Sequence, residues 1–364
     1  IHLPIGVATN FVINGKEFLV PMALEEPSVI AAASKAAKQT LPEGFHAEAD
    51  ESIMIGQMQI VGVKGNEAAK KISAKKKEIL SLAKEKMKPH EKYGCGVRDF
   101  ETKILKTDRG EMLIIEFHVA VGDAQGANMI NTLLEALAPK IEGIVHGIVR
   151  LRILSNLATK RRVRVKATWN KEVVGDAVVE GVLDAYEFAK NDIYRCATHN
   201  KGIMNGIDAV VLATGNDWRS TEAGAHAYAA TKNPKEGYST LTKFSKNKNG
   251  DLVGEIEIPL ALGIVGPAVN SSPTAKIALK IANVNSSREL AMVAASVGLA
   301  NNFAALAALS TVGIQQGHMK LHARSVAMYA GATNDEIDKV ADILTSEKNF
   351  NAEFAREVLT KVRK

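Results

Sequence analysis

The hydrophobic and polar positions of the chain change period several times, and these changes predict its helices and strands. Residues 18–22 have the pattern of a short strand, and a helix is expected at 27–33 because Pro27 suits its first position. The elements predicted after residue 52 are a strand (53–63), a basic helix (66–88), two strands (100–105 and 112–121), a helix (131–144) and a strand (147–154). This β-α-β-β-α-β order is typical of a ferredoxin-like unit and indicates an inserted α+β domain.

Outside this segment the pattern is mainly helical. The elements predicted there are helices at 180–190 and 221–231, a β-hairpin at 241–260, an alanine-rich helix from 286 toward 310, and three helices after about 315. Asn249-Gly250 is the turn signal of the hairpin, and Ser286 and Glu289 have the spacing of a capping box. Residues 41–51 are polar and interrupted by proline and glycine, which predicts a crossing between domains.

Composition places the chain among globular proteins with a large core. Its 364 residues are 46% hydrophobic and 24% charged, which favours two domains or one domain with an insertion. No apolar run approaches the roughly 20 residues of a membrane-spanning helix, and no secretory signal is expected at the start. Cys95 and Cys196 are too few for a disulfide framework. We therefore expect a cytoplasmic protein with reduced thiols and no membrane association.

The formal net charge of +6 indicates an anionic partner. Nucleic acid is one candidate, but aromatic residues make up only 5% of the chain and are not interleaved with basic runs as base stacking requires. Polyanionic small molecules, such as nicotinamide dinucleotides and coenzyme A, attract the same surface. We therefore expect a small-molecule substrate and no nucleic acid.

The common catalytic fingerprints are absent from the sequence. There is no G-x-G-x-x-G after a strand, no P-loop, no G-x-S-x-G and no His/Cys cluster with zinc spacing, so no metal is expected. Four other segments combine polar residues with glycines or with breaks in periodicity. They are Glu25–Ser28, the segment 194–206 around Lys201, the segment 213–219 around Asp217, and the segment 317–324 that contains His318 and His322.

Each of these segments also has a purely structural interpretation. Two acids before a helix are usually charges that favour its dipole, and Asp217, at a predicted strand-to-helix turn, suits a helix N-cap. The two glycines that follow Lys201 are typical of a solvated loop, although the neighbouring Ile203 and Met204 suggest a pinned one. His318 and His322 are one helical turn apart, which is common for packed or solvent-facing histidines.

Taken together and in order, the segments resemble one family closely. The matching motifs are E-E-P-S at Glu25–Ser28, D-A-x-G-A-N at Asp123–Asn128, H-N-K-G-I-M-N-G at His199–Gly206, G-N-D-W-R at Gly215–Arg219 and G-H-M-x-L-H-A-R at Gly317–Arg324. These motifs are similar to those of hydroxymethylglutaryl-coenzyme A reductase, in its soluble class II branch. One departure is Gln125, which stands where the second motif usually has methionine.

The resemblance implies a role for each matched residue. Lys201 would stabilise the carbonyl oxyanion, Asp217 would organise Lys201, Glu26 would donate and accept the proton, and His318 would protonate the coenzyme A thiolate. Cofactor-binding positions would be Asp123, Gly126, Asn128 and Asn156, and substrate-binding positions would be Ser28, Arg195 and Asn205. Arg195 suits a free carboxylate.

The resemblance also implies an activity and an architecture. The activity would interconvert hydroxymethylglutaryl-coenzyme A and mevalonate plus coenzyme A by two hydride transfers with NADPH or NADH. The protein would be a homodimer or an assembly of dimers. The fold class would be α+β: a large mixed helical domain in two parts (1–52 and 156–314), an inserted ferredoxin-like dinucleotide-binding domain (53–155) and a C-terminal helical flap (315–364). The alternatives are an acyl-coenzyme A hydrolase or lyase that uses Glu26 and His318 without redox chemistry, and a nucleic-acid-binding protein.

Overall fold

The computed structural model describes residues 2–311 and 323–363 and contains two β-sheets with helices packed on them. The strands are β1 (Ile5–Ile13), β2 (Lys16–Ala23), β3 (Phe45–Ala49), β4 (Ile53–Val61), β5 (Gly96–Thr107), β6 (Gly110–Ala120), β7 (Ile148–Leu154), β8 (Arg162–Trp169), β9 (Thr242–Lys246) and β10 (Leu252–Pro259). The helices are α1 (Pro27–Lys38), α2 (Gly65–Ala74), α3 (Lys76–Met87), α4 (Ala127–Val145), α5 (Lys171–Val174), α6 (Asp176–Asn191), α7 (Ile193–Ala213), α8 (Trp218–Thr231), α9 (Pro267–Ser271), α10 (Pro273–Ala282), α11 (Ser287–Ser310), α12 (Asp335–Ser346) and α13 (Ala352–Val362).

The six-stranded sheet has the order β2-β1-β3-β8-β10-β9 and supports the larger core. Trp169, at the end of β8, is fully buried, stacks on Phe303 of α11 with ring centroids 4.1 Å apart, and donates a hydrogen bond from Nε1 to the Ala36 carbonyl oxygen at 3.1 Å. Helix α11 is thereby fixed between the sheet and α7. Within the described residues, α11 alone is long and apolar enough to cross a membrane, but 78% of its apolar stretch is buried, as in a core helix.

The four-stranded sheet has the order β5-β6-β4-β7, and each neighbouring pair is antiparallel. On β4 every second residue is buried, and Gly56 is one of these. A Cβ at Gly56 would lie 2.6 Å from the side chain of Ile130 on α4, so the glycine allows the helix to approach the strand closely. Helices α2, α3 and α4 supply the remaining side chains of this second core.

The structure adds one strand that was not predicted and corrects one predicted helix. Residues 41–51 contain strand β3, in which only Phe45 is a large apolar residue, stacked on Phe11 at 5.5 Å, so alternation was weak. The predicted basic helix at 66–88 is two helices, α2 and α3, that meet at Lys75, whose ψ of 11° departs from helical geometry. The predicted hairpin at 241–260 and the helix start at Pro27 are confirmed.

The C-terminal helices have a small core of their own. Residues 323–329 are helical, and with α12 and α13 they bury side chains that include Ala327, Leu344 and Leu359. Thr333 and Glu336 hydrogen-bond to each other before α12, at the predicted helix start. His318 and His322 lie outside the described residues.

Candidate active site

The segment around Lys201 is helical rather than a loop. Helix α7 runs without interruption from Ile193 to Ala213, and the Asp192 carboxylate caps it by accepting a hydrogen bond from the Arg195 backbone N–H at 2.7 Å. A Cβ at Gly206 would lie 2.5 Å from Nδ2 of Asn301 on α11. The glycine therefore permits a close helix–helix contact, and this contact is why it does not break the helix.

The two sides of α7 have different environments. His199 is buried, and its Nε2 lies 2.6 Å from Oγ1 of Thr242, which in turn donates to Oδ1 of Asn302 at 2.8 Å. Because the threonine hydroxyl has one proton, His199 must donate from Nε2 and is a neutral tautomer. Burial lowers the pKa of His199 to about 3, in agreement with a neutral ring. Lys201, by contrast, is exposed.

The substrate-binding candidates Arg195 and Asn205 lie on the same helix as Lys201 and are both partly buried. Asn205 is one turn after Lys201, so the two side chains share a face of α7. Burial lowers the pKa of the Arg195 guanidinium, which still leaves it cationic at neutral pH. The helix thus presents two cations and an amide, groups that suit a carboxylate-bearing thioester.

Asp217 occupies a helix-to-helix turn instead of the predicted strand-to-helix turn. Its side chain caps α8 by accepting hydrogen bonds from the backbone N–H groups of Arg219 at 3.0 Å and Ser220 at 3.3 Å, so the N-cap interpretation is confirmed. One carboxylate oxygen also pairs with Arg219 at 3.2 Å. The same oxygen makes all three contacts, which leaves the second oxygen for a further partner.

The structure does not bring Lys201 and Asp217 of one chain together. The backbone N–H of Asn216 donates to the carbonyl oxygen of Val211 at 2.9 Å, so Asp217 lies near the end of α7. Residues 201–211 of a helix span about 15 Å, and helical side chains lean toward the N-terminus, away from this turn. Within the described part of the chain no ion pair joins Lys201 to Asp217.

The first motif lies next to this turn. Glu26 immediately precedes α1, and its Oε1 accepts a hydrogen bond from the Ser28 hydroxyl at 2.6 Å. Ala23, at the end of β2, packs against Ala213 at the end of α7. The segments after β2 and α7, which carry Glu26 and Asp217, therefore lie close together.

The D-A-x-G-A-N motif forms the entry to α4. Gly126 is the N-cap with φ 104°, and a Cβ there would lie 2.7 Å from the Val121 side chain, so the position requires glycine. Gln125 Oε1 accepts from the backbone N–H of Ala127 at 3.0 Å, a hydrogen bond that the usual methionine cannot make. The N–H groups of Asn128 and Met129 have no side-chain cap, and such a helix terminus suits a phosphate.

This motif and the Asp217 turn are joined by one short segment. Asn216 makes a reciprocal pair of hydrogen bonds with the backbone of Gly263, at 2.7 and 3.0 Å. The next residue, Ile264, donates its N–H to the carbonyl oxygen of Asp123 at 2.9 Å. Asn156 also lies here, because a Cβ at Gly224 of α8 would be 2.5 Å from its carbonyl oxygen. The proposed cofactor positions and the G-N-D-W-R motif thus lie in one region.

Comparisons with known proteins identify the family of the chain. The model of the family described as hydroxymethylglutaryl-coenzyme A reductase matches residues 1–323. The chain belongs to that family. It is 51% identical to the 3-hydroxy-3-methylglutaryl-coenzyme A reductase of Archaeoglobus fulgidus, over all of this chain and 83% of that protein. It is 33% identical to the probable reductase of Borreliella burgdorferi, over all of this chain and 85% of that protein.

Solved structures of reductases are similar throughout the chain. One of them is the class II reductase of Streptococcus pneumoniae bound to NADPH in open conformations, with a TM-score of 0.82 and 40% sequence identity. The match covers all of this chain and 89% of that chain. The family consists of NAD(P)H-dependent oxidoreductases that act on a coenzyme A thioester. The chain is therefore an oxidoreductase of this kind.

One buried residue that joins the predicted site segments was missed by the sequence reasoning. Arg161 is 4% exposed and donates to the carbonyl oxygens of Ala124, Gln125 and Leu262 and to the hydroxyl of Ser287. Burial lowers the pKa of Arg161 to about 10, and the nearby Asp123 opposes this change. Arg161 thus anchors the dinucleotide motif to the segment that reaches Asn216. In the sequence it is one of two adjacent arginines, and nothing distinguishes it from its partly exposed neighbour Arg162.

The structure has one small cavity beside this framework and a larger one elsewhere. One of about 140 Å³ is lined by Asp123, Gly122, Ser52 and Arg288, beside the dinucleotide motif. The other, of about 670 Å³, faces the six-stranded sheet and contains none of the predicted site residues. No group of three or more potential metal ligands occurs among residues 2–311 and 323–363.

Proposed function

We propose that the chain interconverts hydroxymethylglutaryl-coenzyme A and mevalonate plus coenzyme A by two successive hydride transfers, with NADPH or NADH. The observation that carries this proposal is the hydrogen-bonded connection from Asn216, beside Asp217, through Gly263 and Ile264 to Asp123. It holds a carboxylate and a candidate phosphate-binding helix terminus in a fixed relation. A reaction between an acyl group and a dinucleotide requires such a relation.

The residues at the start of α4 fit a dinucleotide. The N–H groups of Asn128 and Met129 at the positive end of a 19-residue helix suit its phosphates, and Gly126 leaves room for close backbone approach. Asp123 and Asn156 supply polar groups beside them. When bound there, the nicotinamide supplies the hydride. The Streptococcus pneumoniae reductase, which is 40% identical to this chain, binds NADPH.

The chemistry assigns the remaining roles. Hydride addition places negative charge on the carbonyl oxygen, and Lys201 stabilises that oxyanion more than the ground state. Asp217 keeps the ammonium oriented, and Glu26 donates the proton that the oxygen takes up. His318 protonates the departing thiolate. Ser28, Arg195 and Asn205 hold the hydroxymethylglutaryl group, with the Arg195 guanidinium on its free carboxylate.

A second subunit completes this site in our proposal. Lys201 is separated from Asp217 of its own chain but lies on an exposed part of α7, near Tyr194 (83% exposed) and Ile193 (55% exposed). Exposed apolar side chains next to a catalytic cation are typical of a surface that another protein covers. A symmetric dimer would bring Lys201 of one subunit to Asp217 and Glu26 of the other.

We further infer the domain organisation and location. The strand order β5-β6-β4-β7 with antiparallel neighbours supports an inserted ferredoxin-like domain at 53–155 within a large domain (1–52 and 156–314). The separate core of the C-terminal helices supports a flap at 315–364. Cys95 and Cys196 are both free and buried, which favours the cytoplasm.

The catalytic assignment is tested by Lys201→Ala. Because Lys201 is exposed in the chain, we expect the variant to keep the fold while hydride transfer to hydroxymethylglutaryl-coenzyme A falls by at least a thousandfold. Turnover is followed by nicotinamide absorbance, and folding by circular dichroism. Lys248→Ala, an exposed lysine in the β9–β10 turn, is the control and should keep full activity.

Near-normal turnover by Lys201→Ala would refute the role of that lysine. The same assay separates the redox reaction from a hydrolase or lyase. A hydrolase would release coenzyme A thiol without consuming the nicotinamide, whereas the proposed reaction consumes two nicotinamides for each thiol.

A further inference from the structure

Two carboxyl groups that have no role in the proposed reaction meet between α7 and α8. Asp208 lies on α7 and Glu222 on α8, and their side chains are in hydrogen-bonding contact. Two ionised carboxylates are acceptors only, so this contact needs a proton on one of them. Oδ1 of Asp208 is buried and has no partner among the described residues, which also favours the neutral acid.

The pair is connected to solvent by two more titratable side chains. Oε2 of Glu222 lies 2.8 Å from Nε2 of His226, and Nδ1 of His226 lies 2.7 Å from the Tyr238 hydroxyl. The two rings are stacked with centroids 5.9 Å apart, and Tyr238 lines the cavity of about 670 Å³. Protons can therefore pass between this cavity and the pair, and the pair follows the pH of the solution.

The helices joined by the pair also carry two proposed catalytic groups. Lys201 precedes Asp208 by two turns on the same face of α7, and Asp217 begins α8. Glu222 follows Asp217 by little more than one turn. Any movement at the contact of Asp208 with Glu222 therefore changes the distance between Lys201 and Asp217 of the same chain.

We propose that Asp208 and Glu222 share one proton and act as a positioning pair, which holds α7 against α8 and so keeps Lys201 and Asp217 in their working positions. When the shared proton is lost, two adjacent carboxylates repel each other and the contact between the helices opens. This inference rests on the catalytic roles proposed above for Lys201 and Asp217.

The environment of the pair sets the pH at which this happens. The pKa of Asp208 is raised to about 8, mainly by burial and to a smaller extent by the neighbouring Glu222 carboxyl. The other elements packed against α7 are α1, α6, α10, α11 and β2. Among their described residues no ionisable group alters the pKa of Asp208. Glu222 is the ionisable group that does so, and it contacts His226, which in turn contacts Tyr238. The pair therefore keeps its proton well above the usual pH range of a carboxyl group and loses it when the pH rises further.

The pH dependence of kcat tests the proposal. For the unchanged protein we expect kcat to fall about tenfold per pH unit above the pKa of the pair, with KM nearly constant. Asp208→Asn and Glu222→Gln keep a hydrogen-bonding group but cannot lose this proton, so each should move the alkaline fall of kcat upward by at least one pH unit. Asp184→Asn, an exposed acid on α6, is the control and should leave the profile unchanged. An alkaline fall at the same pH in both variants would overturn the proposal.

Infrared spectroscopy tests the shared proton without turnover. The unchanged protein should show the carbonyl stretch of protonated carboxyls at pH 7. Glu26, as the proposed proton donor, can contribute a band of its own, so the test is the component that each substitution removes. This component should disappear as the pH is raised and be missing in Asp208→Asn and in Glu222→Gln. A spectrum that neither substitution changes contradicts the proposal. Lys201→Ala should keep the band whether or not Lys201 is catalytic, so a failure of the catalytic assignment is distinguishable from a failure of the pair.

Discussion

Arg161 offers the sharpest test of how the cofactor region is held in place. Its guanidinium places one nitrogen on the carbonyl oxygens of Ala124 (3.1 Å) and Gln125 (3.4 Å) and another on Leu262 and Ser287. In Arg161→Lys the charge remains, but a single ammonium cannot reach both ends of this fork. The variant therefore separates the geometry of the arginine from its charge.

The magnitude follows from the acceptors that lose their donor. If the lysine keeps one end, two buried oxygens at the other end are left without Arg161, and an unsatisfied buried acceptor costs about 1–3 kcal/mol. If the lysine keeps the loop end, only the Leu262 carbonyl oxygen lacks a donor, because Ser287 keeps its own hydrogen bond to the Gly122 carbonyl oxygen at 3.2 Å. We therefore expect a loss of about 1–3 kcal/mol. If the lysine instead loses the contacts with Ala124 and Gln125, the segment 123–126 is no longer anchored. Because 1.4 kcal/mol is a factor of ten, KM for the nicotinamide should then rise at least tenfold.

Steady-state kinetics with NADPH and with NADH, together with thermal unfolding, measure both consequences. Arg162→Lys is the matched control, because Arg162 is adjacent in sequence but its side chain pairs with Asp50 and Glu257. We expect the control to leave the nicotinamide KM nearly unchanged, since these partners lie outside the segment 123–126. If Arg161→Lys has the Tm of the unchanged protein and a nicotinamide KM within twofold of it, the anchoring role is refuted.

Two further substitutions test separate parts of the site. In Gly126→Ala the new Cβ would lie 2.7 Å from Val121 at φ 104°, so the entry to α4 should distort and KM for the nicotinamide should rise by about tenfold or more, as steady-state kinetics will show; an unchanged KM would contradict the helix terminus as the phosphate site. In His318→Gln, reduction of the thioester should suffer while reduction of free mevaldehyde is largely spared, since only the first releases a thiolate; equal losses in both assays would remove His318 from that step.

Much of the fold follows from periodicity, and the exceptions have physical causes. The hairpin around Asn249-Gly250 and the helix start at Pro27 depend on local turn and capping preferences, which a sequence displays. Strand β3 is held by its neighbours β1 and β8, and only Phe45 carries a strong apolar signal, so its pairing was invisible in the sequence. Tertiary contact decides such a segment, and a single sequence does not display tertiary contact.

The candidate site divides in the same way. Residues in contiguous motifs, such as Asp123 and Lys201, were found through the resemblance to a family. Arg161 and the Asp208–Glu222 pair were not, because their significance arises from burial and from partners distant in sequence. A buried charge is defined by what surrounds it, and the residue type alone carries no such information.

Helix α7 shows why one glycine of the motif around Lys201, Gly206, is needed. Gly206 on α7 and Gly298 on α11 each leave room for the other helix, since a Cβ at Gly298 would lie 2.8 Å from Ile207. One side of α7 is thereby fixed in the core while the other exposes Lys201. A lysine side chain is long and flexible, so its ammonium can be positioned only if its backbone is rigid. Gly206, which resembles a helix breaker in the sequence, therefore helps to fix the backbone that carries Lys201.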